Sequence, residues 1–286
     1  MDSNKEITQK NKNFQENFGK WYDKNYKLLL FIPLILLLLS LGYLGYSYSV
    51  TGEFVRKDIS LSGGTSITIL GEISNGFEEQ IKSEFPDVSV RRLTDIQSGE
   101  IHSIIIETPA KPEEIVPVIE RVLDYSLDET NSNIEFTGSA LSENFYRQLI
   151  IALVISFVLM SLVVFFLFRS FIPSIAVILA SFADIIMPLA IINIFGMKLS
   201  AAGIAAFLML IGYSVDTDIL LTTRALKRFD ISLNQRIYSA FKTGILMTIT
   251  ALIAVLPIFF FTTGIPDSFR QIFIILSIGL FADILN

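Results

Sequence analysis

Three aspartates lie inside stretches otherwise built to cross a bilayer. Asp184 falls in the run Ala180-Ser181-Phe182-Ala183-Asp184-Ile185-Ile186, and Asp216 and Asp218 fall in Leu210–Leu221 (LIGYSVDTDILL). A carboxylate in hydrocarbon is costly, and burial favours its protonated form, so an intramembrane Asp is a candidate for binding and releasing a proton. At helical rise, Asp184 lies about 16 Å from Pro173 and Asp216 about 12 Å from Arg224, so the two share a similar depth if their helices are antiparallel neighbours. Around the helix, Asp216 shares a side with Gly212, Tyr213 and Thr223, whereas Asp218 shares one with Ser214 and Thr222. Two readings stay open: a proton or ion relay through Asp216, Asp218 and Asp184, or aspartates that tie helices together, paired with Arg224 or Lys242. Asp218, nearer the Arg224 end, suits the second reading better. Tyr213, Ser214, Thr217, Arg224 and Lys242, with Thr243, Thr248 and Thr250, supply supporting polar groups. Asp283 also falls in an apolar run, at no assignable depth.

The elements that must hold these residues follow from the apolar runs. The chain has 286 residues, 52% of them hydrophobic, and runs of about 20 apolar residues suit helices that cross the hydrocarbon core. Six spans are expected, at about 28–47, 148–168, 173–195, 199–223, 240–261 and 272–286. Residues 1–27 read as a polar arm, partly helical at most, with Trp21 and Tyr22 near the interface. Residues 48–147 form a water-facing domain. In it, residues 65–70, 88–93, 101–107 and 133–136 read as strands, residues 75–85 and 112–127 as helices, and Ser98-Gly99 as a turn. The order βαββαβ is ferredoxin-like. The fold class is therefore a polytopic α-helical membrane protein with an α+β domain between its first two helices.

Charge sets the orientation. Residues 48–147 carry 8 Lys/Arg against 18 Asp/Glu, whereas the remainder carries 14 against 10. Lysines of the N-terminal arm, Arg169, and the cluster Arg224, Lys227, Arg228, Arg236 and Lys242 fall on one side. Only Lys198 and Arg270 flank the short loops of the other. The positive side is cytoplasmic, so residues 48–147 are extracytoplasmic and the chain sits in the cell membrane.

Several functions are excluded. There is no Cys and a single His, His102, so Cys-ligated zinc, a thiol nucleophile and a His-rich metal site are unavailable. No phosphate loop, nucleophile–His–carboxylate set, cofactor site or nucleic-acid footprint is present, and Gly63-Gly64 reads as a turn. An intramembrane aspartyl protease would use Asp184 and Asp216, but Tyr213-Ser214-Val215 replaces the Gly-x-Gly expected before the second Asp.

The stretch Gly212-Tyr213-Ser214-Val215-Asp216-Thr217-Asp218-Ile219-Leu220-Leu221-Thr222-Thr223-Arg224 resembles the fourth-span signature of the SecD/SecF family of protein-export membrane proteins, within the resistance–nodulation–division superfamily, and is close to its archaeal SecF form. Asp216 matches the Asp of the SecD version, whereas the bacterial SecF Asp falls at Thr217. Asp58 to Thr65 resembles the family's G-I-D-F-T-G-G-T segment. Gly138 to Glu143 is similar to G-P-x-x-G-x-E, with Ser139 for the Pro and Ser142 for the second Gly. The resemblance implies an auxiliary export subunit that is not an enzyme. Its implied partners are SecD, a SecY-type translocon, the translocating polypeptide and the lipid bilayer, and in bacteria it implies use of the proton gradient. It also implies a last span that continues past Asn286. The alternative within the superfamily is a small-molecule exporter subunit.

Overall fold

The structure, a computed structural model, describes residues 2–70, 76–94, 101–227, 232–261 and 267–286. The turn expected at Ser98-Gly99 and the basic Arg228 lie outside the described residues. In chain order the elements are α1 (Asp2–Thr51), α2 (Ile59–Ser62), β1 (Gly64–Leu70), α3 (Phe77–Glu84), β2 (Ser89–Thr94), β3 (Ile101–Thr108), α4 (Pro112–Leu123), β4 (Ser132–Thr137), α5 (Ser139–Phe168), α6 (Phe171–Ile194), α7 (Ala201–Lys227), α8 (Leu233–Phe261) and α9 (Asp267–Leu285).

Hydrocarbon leaves a backbone no water to bond, so each apolar run closes its own hydrogen bonds as a helix. Five helices are long and apolar enough to cross a membrane: Trp21–Thr51, Ser139–Phe168, Phe171–Ile194, Ala201–Leu226 and Leu233–Pro257. Several begin before the apolar run does. Residues 2–27, expected to be helical only in part, continue the first helix without a break. The hydrogen-bond ladder does not stop where the side chains turn polar, and before Pro33 the arm holds no proline and one glycine, Gly19. Gly19 instead marks a close approach, since a Cβ there would meet the side chain of Asn234 at the start of α8.

The four strands form one antiparallel sheet in the order β2-β3-β1-β4. Period-2 alternation sends Ile67, Ile69, Ile104 and Ile106 to the face covered by α3 and α4, where Phe77, Ile81, Ile115, Val118 and Ile119 complete a core. α4 starts with Pro112 in its first turn, followed by Glu113 and Glu114, the residues a helix N-terminus favours. The opposite face carries Ser66, Thr68, Ser89, Arg91 and Glu107. A single residue, Gly138, separates β4 from α5.

The turn into β4 depends on Asp128. Its carboxylate accepts hydrogen bonds from Thr130 Oγ1 (2.6 Å), Thr130 N (2.9 Å) and Asn131 N (3.1 Å). These bonds, led by the Thr130 hydroxyl, hold the carboxyl below its ordinary value of 3.8. A group lowered on folding stabilises above its unfolded pKa and loses that contribution as pH falls through the folded one. Asp128→Ala is therefore expected to cause a small drop in Tm at pH 7, and the difference from the parent chain shrinks on acidification below 3.8.

α7 lies at the centre of the helical body, packed against α5, α6, α8 and α9, while α1 packs against α6 and α8. Its apolar core joins Ile192, Ile204, Phe207, Leu210, Ile211 and Ile275. At Gly279 of α9 a Cβ would come within 2.3 Å of Leu210, so the two helices approach closely there.

Candidate functional site

α6, α7, α8 and α9 each bring a polar group to one place in the apolar body. Asp184, on α6, is 1% exposed. Its Oδ2 accepts a hydrogen bond from Ser214 Oγ of α7 at 2.5 Å, and its Oδ1 accepts one from Asn286 Nδ2. Asp283, on α9, accepts a hydrogen bond from Thr248 Oγ1 of α8 at 2.9 Å. Asp218, one turn after Ser214 and on the same side of α7, lies near Asp184 and Asp283. Its buried Oδ2 has no hydrogen-bond partner among the described residues.

The local sequence explains how these groups come to face inward. Ser214 and Asp218 are four residues apart, hence on one side of α7. Asp283 and Asn286 are three apart at the end of α9. On α6, Pro188 takes the position whose N–H would bond the carbonyl of Asp184, and proline has none to give. That loosens the helix at the turn that carries the carboxylate.

The other candidates lie elsewhere. Asp216 is on an exposed face of α7, beside exposed Gly212, and a Cβ at Gly212 would meet nothing within 4 Å. Tyr213 donates its hydroxyl to the carbonyl of Met247 on α8 at 2.8 Å. Thr217 is buried and donates to the carbonyl of Tyr213 within its own helix. Arg224 donates to Thr243 Oγ1 at 2.5 Å, and Lys242 is exposed. Among the described residues no ion pair reaches Asp184, Asp218 or Asp283, so the pairing of an aspartate with Arg224 or Lys242 is not formed. Asn286 was not singled out from the sequence. Its one-turn spacing from Asp283 on an apolar helix is the signal that could have found it. No group of three or more metal-ligating side chains is present among the described residues.

Residues 118–286 match the family described as "Protein export membrane protein SecD/SecF, C-terminal". The chain belongs to the SecD/SecF family. It is 34% identical over 270 residues to the protein-export membrane protein SecF of Methanocaldococcus jannaschii, covering 92% of each chain. Against SecF of Methanolacinia petrolearia it is 36% identical over 261 residues, covering 91% of this chain and 89% of the relative. Among solved structures, SecDF of Thermus thermophilus, a translocon-associated membrane protein, superposes with a TM-score of 0.68 at 20% identity. The likeness covers 92% of this chain but 37% of that one, so the chain spans about a third of it. Membership makes this a protein-export membrane protein and not an enzyme, and neither the protease nor the small-molecule exporter reading is needed.

Proposed function

We propose that the chain is the SecF-type subunit of an export complex. It acts with a SecD-like partner beside a SecY-type translocon, and protonation of the Asp184–Asp218–Asp283 set drives its movement. The carrying observation is the convergence of three carboxylates from three helices with no cation paired to them among the described residues. In so apolar a setting they cannot all be charged, so at least one holds a proton that a neighbour can take. The Ser214 and Thr248 hydroxyls suit proton passage, since each can donate and accept.

In this reading α9 is a sixth span, its apolar stretch from Ile272 interrupted by the charge of Asp283. The βαββαβ domain is ferredoxin-like and external, and the N-terminal part of α1 is cytoplasmic. Asp216 and Gly212 face the SecD-like partner, because a carboxylate on the outer side of a membrane helix needs polar cover.

Topology is testable directly because the chain has no Cys. A single cysteine at exposed Glu129 is expected to react with a membrane-impermeant maleimide in intact cells. One at exposed Lys24 reacts only after permeabilisation. The reverse pattern overturns the orientation. Co-purification of the SecD-like partner with the tagged chain, and slower export of a reporter preprotein in cells lacking the chain, test the function. Normal export without it overturns the assignment.

A further inference from the structure

A second polar cluster lies where the sheet meets the helical body, away from the carboxylate set. Glu107, near the end of β3, is 6% exposed on the face of the sheet opposite α3 and α4. Its Oε1 accepts a hydrogen bond from Arg91 of the neighbouring strand. Its Oε2 has no hydrogen-bond donor among the described residues and faces Lys198 Nζ at 3.6 Å. Burial and the nearby Asp58 push this carboxyl above its ordinary value, while Arg91 and Lys198 act against them. The pair borders a cavity of about 560 Å³, which Asp58, Arg92 and Arg270 also line.

Lys198 belongs to the short connection between α6 and α7, three residues before α7 begins. That connection is fastened on two other sides. Leu199 exchanges backbone hydrogen bonds with the segment between α1 and α2, donating to the Arg56 carbonyl at 2.7 Å and accepting from Asp58 N at 2.9 Å. Gln271 of α9 donates to the Lys198 carbonyl at 2.5 Å and accepts from Ser200 N at 2.8 Å. A displacement of α7 therefore moves Lys198 directly, and the side chain of Lys198 reaches the sheet.

We propose that the Glu107–Lys198 pair is the joint through which movement of α7 reaches the sheet domain, making both positioning residues for export. The proposal rests on the reading of the α7 carboxylate network as the moving part. The environment suits a joint better than a surface contact. Arg91 holds Oε1 of the buried carboxylate, and the part-exposed Lys198 is the cation that faces its Oε2, so losing Lys198 leaves that buried oxygen without a facing cation. An exposed pair such as Lys82–Glu78 would contribute little.

The test uses the complex with its SecD-like partner. The cysteine-free chain accepts spin labels through Glu114→Cys on α4 and Ile194→Cys on α6, both exposed. Lys198→Gln is expected to broaden the distance distribution between the labels while the complex is recovered in normal yield. It is also expected to lower export roughly fivefold or more, the lower end of ordinary coupling between sites. Lys198→Arg restores both, and Glu107→Gln with Lys198→Gln is no worse than either alone. An unchanged distribution, additive losses, or full export despite a broadened distribution overturns the joint. The two readings fail separately. If the relay is wrong, Asp218→Asn exports normally while Lys198→Gln remains defective. If the joint is wrong, the pattern is reversed.

Discussion

Asp218→Asn is expected to reduce export of a reporter preprotein to the level of cells lacking the chain, with the complex recovered in full. This substitution separates function from folding because Asp218 Oδ2 is buried without a hydrogen-bond partner among the described residues. Replacing an unpartnered buried carboxylate with a neutral amide removes a cost to the fold. A loss of export therefore reports the lost proton site. Asp184→Asn is expected to be as inactive but less stable, because Asp184 accepts hydrogen bonds on both oxygens, from Ser214 and Asn286. The amide retains one acceptor oxygen, so a penalty of about 1–3 kcal/mol follows from the displaced partner. Asp216→Asn leaves the buried network untouched and is expected to export normally wherever the partner is retained. Measuring export beside complex yield for the three variants decides the matter. Full export by both Asp184→Asn and Asp218→Asn would reduce the network to a structural tie between helices.

Gly64→Val is expected to unfold the sheet domain while the helices still insert. Gly64 has φ +134°, and a Cβ there would lie 2.3 Å from the carbonyl oxygen of Thr108 and 3.1 Å from Pro109 Cα. Both contacts are backbone, so no side chain can move aside. Backbone strain alone costs about 1–3 kcal/mol, and displacing β3 from β1 adds to it. A total above about 3 kcal/mol is a large share of the roughly 5–15 kcal/mol that holds a domain folded. Gly76→Ala serves as a control. It also has positive φ, at +98°, but an added Cβ meets nothing within 4 Å, so its expected cost is limited to the left-handed backbone, about 1–2 kcal/mol. Limited proteolysis of residues 48–137 should show cleavage in Gly64→Val and protection in Gly76→Ala. Protection in both would mean that the strand pairing tolerates the added side chain.

The contrast between Gly64 and Asp218 shows what the sequence carries. Gly63-Gly64, expected as a turn, instead caps α2 and opens β1, but the alternation from Thr65 to Leu70 is legible as a strand because it depends on neighbouring residues. The same holds for Pro112 at the start of α4 and for Ser214 and Asp218 sharing a side of α7. What those residues face depends on segments far along the chain. Rotation about α7 separates Asp216 from Asp218, but only the packing of α6 and α9 determines which of them meets Asp184. Glu107 and Lys198 lie 91 positions apart, and each is an ordinary charged residue in its local context. The polar composition of residues 2–27 hides the continuity of α1, because a helix ladder does not require apolar side chains.

With Gly138 alone between β4 and α5, the sheet is mounted almost directly on a membrane helix. α5 has 30 residues, but its first turns carry Glu143 and Arg147, and the apolar stretch 148–168 is about 31 Å at helical rise, a match to a hydrocarbon core of about 30 Å. In a thinner bilayer that stretch exceeds the core and leans over to fit, and a sheet joined to it by one residue leans with it. Bilayer thickness thus becomes a mechanical input, with α5 as the lever arm that sets the attitude of the domain above it.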